Sequence, residues 1–389
     1  MESTSTVEGA SILWVTASSA LIDAFVLDAL IAFLARRSAV GSAQFGLPKL
    51  LVALCGWGLV FFVKAPLWAG LFEVSRFGVM RLLYVDLTIV IPVTAVAVLI
   101  WHWRGSGAPR CSRAVLVAAA LGSLGAPAGY YATYVEPYRL QVDRAHVDLP
   151  PSRNGSKPVT IGVLADLQTD GVTDYEHRAV STLLALEPDI ILLPGDLFQG
   201  SIPALEKELP ALRGLLSRLQ APGGVYFVQG NVDWTSHLNA VVGGTGVQLL
   251  VDETRDIEIN GRTITLAGLG LHLHKSSRGK EVLSELEARP GADDIRIAFG
   301  HFPDWVLHLQ KESRIDLFVA GHTHGGQVFV PLFGPPITLT RVPRDVAAGG
   351  LHDMDGRRIY VSRGVGMERG QAPRLRVFCP PCVSLLTIE

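Results

Sequence analysis

Gly321-His322-Thr323-His324-Gly325-Gly326 directly follows the apolar run Ile315-Asp316-Leu317-Phe318-Val319-Ala320. The run reads as a buried strand, and two imidazoles spaced i and i+2 stand where it ends. The flanking glycines let the backbone turn sharply without side chains in the way, so both rings can be aimed at one point. Neutral imidazole is the commonest metal ligand in proteins. A His-x-His pair in a polar turn can also be solvated and idle, so its meaning rests on the rest of the chain.

Four further apolar runs end in a polar residue. Val159 to Leu164 leads into Ala165-Asp166-Leu167-Gln168, and Asp189 to Leu193 into Pro194-Gly195-Asp196. Gly224 to Val228 leads into Gln229-Gly230-Asn231-Val232-Asp233, and Ile295 to Phe299 into Gly300-His301. Helical periodicity fills the gaps at Tyr175 to Leu186 and Ala204 to Leu219, and Asn260-Gly261 marks a hairpin turn. Tyr360-Val361-Ser362 and Val383 to Ile388 read as late strands. The pattern is that of an α/β domain, in which ligands bind at strand ends. Asp after glycine is by itself a routine turn residue; five such polar residues at successive strand ends are not routine. Carboxylate, carboxamide and imidazole together suit one or two divalent cations such as Mn²⁺, Fe²⁺ or Zn²⁺.

The ordered series Asp166-x-Gln168, Gly195-Asp196, Gly230-Asn231-x-Asp233, Gly300-His301 and Gly321-His322-Thr323-His324 resembles the calcineurin-like metallophosphoesterases over residues 158–389. GHTHGGQV behind an apolar N-terminal part looks most like the membrane-associated bacterial branch of that family. The resemblance implies a two-sheet β-sandwich flanked by helices, with a site for two divalent metals at the strand ends. Carried over by position, Asp166, Gln168 and His324 would hold one metal, Asn231, His301 and His322 the other, and Asp196 would bridge them. Asp196, Asn231 and His301 would be catalytic, and Asn231 would also touch substrate. Two such cations can share a hydroxide that attacks phosphorus and can clamp the attacking and leaving oxygens.

Two positions depart from the family pattern. Gln168 stands where histidine is usual, and its neutral amide oxygen is a weaker ligand for soft-leaning metals. It reads as a tolerated ligand swap, against the alternative of a single-metal or degenerate site. Val232 stands where many members carry a histidine that helps protonate the leaving group. Asp233, His272 or His274 could replace it, or the leaving group needs little acid help. Arg363, after a late strand, could reach a substrate phosphate; a structural ion pair is the competing reading.

The chain has 389 residues, 49% hydrophobic, with a net charge of −2 that argues against nucleic acid as a partner. The apolar excess is concentrated in residues 1–135. Stretches from about Ala10 to Leu34, Leu50 to Leu71, Leu82 to Trp103 and Ala114 to Tyr134 each match the roughly 20 residues a bilayer requires. The first has no basic n-region and is too long for a cleavable signal. Arg36, Arg37, Lys49, Arg104, Arg110 and Arg113 fall on one side, and Arg76 and Arg81 on the other. Positive charge stays cytoplasmic, so the N-terminus and the C-terminal domain are expected outside, although Arg139 and Arg144 after the fourth stretch weaken that asymmetry. Asp23, Asp28, Lys64 and Asp86 lie within these stretches, where charges are costly; either Lys64 pairs with Asp86, or Asp86 reaches the interface. Residues 136–157 read as a linker. Cys379-Pro-Pro-Cys382 is a lone CxxC, better read as thiols or a local disulfide than as a zinc site.

The expectation is a multi-pass cell-membrane protein. Its domain at 158–389 would be a metal-dependent phosphoesterase or phosphodiesterase, facing outward and acting on a lipid or cell-envelope phosphoester. A nucleotide-lipid pyrophosphatase and a catalytically weak binding or sensory module are the alternatives.

Overall fold

The computed structural model describes residues 8–39, 44–104, 110–150, 153, 157–271, 277–291 and 294–389. The chain divides into two compact units, residues 1–133 with 368–374, and residues 134–367 with 375–389.

The first unit is helical. It contains α1 (Glu8–Ala39), α2 (Leu47–Leu71), α3 (Arg76–Val85), α4 (Ile91–Arg104), α5 (Arg113–Ser123) and α6 (Gly125–Tyr130). A π turn, Asp86–Val90, joins α3 to α4. Among the described residues, four stretches are long and apolar enough to cross a membrane: Ile12–Arg37, Leu47–Leu71, Arg76–Arg104 and Arg113–Tyr138. Trp14, Phe25, Phe62 and Trp103 are exposed, while Leu27, Phe45, Ala53 and Val115 pack inside. Large apolar side chains on the outside suit a lipid surround. Lys64 does not take Asp86 as its partner. It forms an ion pair with Asp23 and donates to Ser19 Oγ at 2.7 Å. The packing of α1 on α2 decides this, and residue spacing along the chain does not encode it.

The second unit is a sandwich of two six-stranded mixed sheets. The first comprises β1 (Gln141–Val147), β2 (Val159–Val163), β3 (Ile190–Leu193), β4 (Val225–Phe227), β5 (Val247–Leu249) and β12 (Cys382–Ile388), ordered β1-β12-β2-β3-β4-β5. The second comprises β6 (Glu253–Ile259), β7 (Arg262–Leu269), β8 (Ile295–Gly300), β9 (Leu317–Ala320), β10 (Gly350–Asp353) and β11 (Arg358–Val361), ordered β10-β11-β9-β8-β7-β6. Ile161, Leu192, Leu386, Ile264, Ile297 and Val319 meet between the sheets. The outer face of the first sheet is covered by α7 (Asp174–Leu184) and α8 (Ile202–Leu216) through Leu183, Leu212 and Leu215. Val282 and Leu286 of the helix Ser277–Ala288 cover the second.

Local chemistry explains the elements. Strands buried on both faces carry continuous apolar runs, as in Ile190-Ile191-Leu192-Leu193, all buried. A capping box between Thr173 and Glu176 starts α7, and Ser201 caps α8. Asn260 and Gly261, at φ 55° and 74°, close the two-residue β6–β7 hairpin. The stretch 136–157 is not wholly linker, because β1 pairs in parallel with β12 from Gln141 to Val147. Its charged, half-exposed side chains suit an edge strand and hide it from a search for apolar runs. Strands β2, β3 and β4 run parallel, as do β7, β8 and β9. The C-terminal ends of all five motif-bearing strands therefore lead into the site loops.

Candidate metal centre

Asp166, Asp196 and His301 are buried, and one oxygen or nitrogen from each lies within 4.8 Å of the others. They come from the ends of β2 and β3 in one sheet and β8 in the other. Two glycines permit the approach. A Cβ on Gly230 would lie 2.0 Å from Asp196 Oδ1, and one on Gly195, at φ 89°, would lie 2.6 Å from His301 Nδ1. The backbone is also bent into the left-handed region at Asp166 (φ 47°), Gln168 (38°), Asp196 (57°), His322 (72°) and His324 (49°). Non-glycine residues adopt this region at a cost of about 1 kcal/mol or more each.

Hydrogen bonds fix where the ligand atoms point. His301 Nδ1 lies 2.9 Å from the Pro194 carbonyl, which can only accept, so Nδ1 carries the proton. Burial lowers the His301 pKa to about 4, so the ring is neutral and Nε2 is left with its lone pair. That lone pair faces Asn231 Oδ1 at 2.7 Å, His322 Nδ1 at 3.2 Å and Asp196 Oδ2 at 3.4 Å. His322 Nδ1 is also 3.0 Å from Asn231 Oδ1. Burial and the neighbouring His301 lower the His322 pKa to about 3. Burial, then Arg376, lowers that of His324 well below the ordinary value, and its buried Nδ1 has no hydrogen-bond partner among the described residues. Converging lone pairs on neutral imidazole, carboxamide and carboxylate oxygen, with an orphaned buried ring nitrogen beside them, fit divalent cations.

Asp166 accepts the His322 amide at 2.9 and 3.1 Å. Burial and then the Asp196 charge hold its carboxyl well above the usual range. Gln168 is buried and donates from Nε2 to Gln199 Oε1 at 2.9 Å, which identifies the oxygen end of its amide as the end suited to a cation. Asn231 is exposed, unlike its neighbours. The structure thus brings Asp166, Asp196, Asn231, His301 and His322 together and buries Gln168 and His324 on the loops that carry Asp166 and His322. Arg363 forms an ion pair with Asp143 on β1 at 2.6 Å through Nη2, the structural pairing that competes with a substrate contact. Asp233 accepts from the Asp196 and Gly230 amides at 2.9 and 2.8 Å and from Leu197 at 2.8 Å. It is a clamp on two loops. His272 and His274 lie outside the described residues.

Arg376 carries no signal of its role in the sequence. It is fully buried and donates to the carbonyls of Gly366 (2.6 Å), Arg363 (2.8 Å), Cys379 (3.1 Å) and His324 (3.4 Å). Its charge bears on both Asp166 and His324, favouring ionised Asp166 and neutral His324. One of several arginines in an irregular stretch, two residues after Arg374, gives no periodic signal. Cys379 and Cys382 are free and buried, with Cys379 Sγ 3.3 Å from the His324 carbonyl.

The profile of the calcineurin-like phosphoesterase family matches residues 159–326. The phosphodiesterase YaeI of Escherichia coli is 30% identical over 288 residues, covering 71% of this chain and 99% of that protein. The uncharacterized metallophosphoesterase YkuE of Bacillus subtilis is 29% identical, covering 70% of this chain and 94% of that protein. A Bos taurus transmembrane protein with metallophosphoesterase domain is 31% identical over 56% of this chain. This chain spans about half the length of the cattle protein, 50%, and 52% of a Caenorhabditis elegans relative. On the strand-end motifs, the two-sheet fold and these similarities, the chain belongs to the calcineurin-like phosphoesterase family, whose members are metal-dependent phosphoric ester hydrolases.

Proposed function

We propose that this chain is a membrane-anchored phosphodiesterase of the membrane-associated bacterial branch, with residues 158–389 as its catalytic domain, acting on phosphoesters at a membrane surface. The observation that supports it most is the meeting of His301 Nε2 with Asn231 Oδ1, His322 Nδ1 and Asp196 Oδ2 as lone pairs. In this reading Asp166, Gln168 and His324 hold one cation, Asn231, His301 and His322 a second, and Asp196 serves both. Divalent cations held there supply Lewis-acid charge that acidifies water and neutralises phosphate oxygens. The residues do the rest. Pro194 fixes the His301 tautomer, the His322 amide steadies Asp166, and Arg376 holds the carbonyls of the two loops on which His324 and Gly366 sit. Asn231, the exposed member, is placed to offer its amide to a phosphate oxygen and marks the side from which substrate arrives.

The four apolar stretches and the similarity to the cattle transmembrane protein support anchoring, and the basic residues of the short loops support an outward-facing domain. Nearness to a bilayer favours lipid or envelope phosphodiesters as substrates. Full-length protein in detergent with Mn²⁺ should hydrolyse bis(p-nitrophenyl) phosphate and a panel of phospholipid diesters. Asp196→Asn and chelation should each abolish turnover. A folded protein that retains no metal and hydrolyses none of the panel would refute the reading.

A further inference from the structure

The helical unit contains a second group of ionisable side chains: Asp23 and Asp28 on α1, Lys64 on α2, and Asp86 at the start of the π turn. Asp23 and Asp86 have no exposed surface. An ammonium has three N–H donors, and those of Lys64 are committed to Asp23 Oδ2, Ser19 Oγ at 2.7 Å and the Ser19 carbonyl at 3.3 Å. None remains for Asp86. Asp28 has its own donor, Thr94 Oγ1 at 3.1 Å. Three buried carboxylate oxygens are left with no hydrogen-bond partner among the described residues: Asp23 Oδ1 and both oxygens of Asp86. The π turn packs against α1, and the Asp86 and Asp23 side chains are near enough to interact directly. Two carboxylates beside one ammonium leave one negative charge uncompensated in an apolar interior, where such a charge is costly.

We propose that Asp23, Lys64 and Asp86 form a proton-binding site within the helical bundle, in which Asp86 is a neutral carboxylic acid donating its O–H to Asp23 Oδ1. One proton taken from water makes the three side chains neutral together; its release leaves them at −1. A metal cation would satisfy the same oxygens, but the Lys64 ammonium on Asp23 repels it, whereas a proton needs only two facing oxygens. Among the described residues, Asp86 makes no ion pair. Of the elements packed on the π turn, α3 carries Arg76 at its start, Arg81, which donates to the Gly370 carbonyl at 3.5 Å, and Tyr84, whose hydroxyl is held by the Gly129 carbonyl and Thr133. The other ionisable groups of α4 and α6 are His102 and Arg104 at the far end of α4, and exposed Tyr130. On α1, buried Thr16, Ser19 and Asp23 share one helical face at spacings of three and four, the polar side chains past which the proton would exchange. The π turn that carries Asp86 is a distortion often found at functional positions in helices.

The test is carbodiimide labelling of the full-length protein in liposomes, since dicyclohexylcarbodiimide modifies protonated carboxyls in apolar surroundings. Asp86 should be modified at neutral pH, and modification should fall to background as the pH is raised. Asp23→Asn removes the excess negative charge, lets Lys64 pair with Asp86, and should abolish labelling of Asp86. Lys64→Met should extend labelling to higher pH. Infrared spectra should show a protonated-carboxyl C=O band that disappears in the isosteric Asp86→Asn, whose folding is checked by gel filtration. Absence of that band at neutral pH overturns the proposal even if the reagent cannot reach the site. Protection from labelling by Na⁺ at constant pH also overturns it, by making the occupant a metal cation.

Discussion

Asp233 holds Asp196 by its backbone, with Oδ2 accepting the Asp196 amide at 2.9 Å while Oδ1 accepts that of Leu197 at 2.8 Å. Because Oδ2 also takes the Gly230 amide, the loops after β3 and β4 are fastened to one carboxylate. Asp233→Ala should cost about 2–4 kcal/mol of stability, since the Asp196, Leu197, Phe198 and Gly230 amides lose their acceptor, and should lower turnover by misplacing Asp196. Kinetics separates this clamp from a leaving-group acid. A clamp variant slows esters with good and poor leaving groups alike, whereas loss of an acid slows only the poor ones.

Metal affinity should rise with pH above the usual carboxylate range. The Asp166 carboxyl is held well above the usual carboxylate range, so at lower pH a cation must displace its proton. The histidines contribute little to this dependence. His301 and His322 titrate at about 4 and about 3 and are already neutral at pH 6. Calorimetry of Mn²⁺ binding in buffers of different ionisation enthalpy, at two pH values, should detect proton release that diminishes at the higher one. Equal affinity at both values would contradict the assignment.

Arg376→Met should weaken metal binding as well as folding. At least four buried carbonyls lose their donor, a stability cost on the order of 3 kcal/mol. Arg376→Lys keeps the charge and loses the fork. It should retain more metal affinity than Met while recovering little of the loop order, as read by equilibrium dialysis and thermal melting.

Gln168→His should tighten one cation and favour Zn²⁺ or Fe²⁺ over Mn²⁺, because imidazole is the softer donor. A gain of about tenfold corresponds to roughly 1.4 kcal/mol. Unchanged metal content and preference would show that position 168 does not contact the cation.

Much of this architecture is legible in the sequence because parallel strands buried on both faces are continuous apolar runs. Ile190–Leu193 and Leu317–Ala320 announce themselves, and the polar residue after each is the residue that reaches the site. What is hidden depends on partners far along the chain. The edge strand β1 (QVDRAHV) has no apolar run and acquires its identity only from β12, more than 200 residues later. Lys64 could be paired with either aspartate by spacing, and only helix packing selects Asp23. Arg363 follows a strand as a substrate contact would, and its ion pair with Asp143 becomes visible only once that edge strand is in place.

Five of the seven residues assigned to the metal centre sit in left-handed backbone, a conformation that asparagine and glycine enter more readily than aspartate, glutamine or histidine do. Folding and chemistry therefore pull these positions in opposite directions. Gln168→Gly should raise the melting temperature of metal-stripped protein, by an amount equivalent to about 1 kcal/mol, and lower its metal affinity. Relatives released from catalytic duty should drift toward asparagine and glycine at these same turns, so retention of the costlier side chains marks a lineage still using the site.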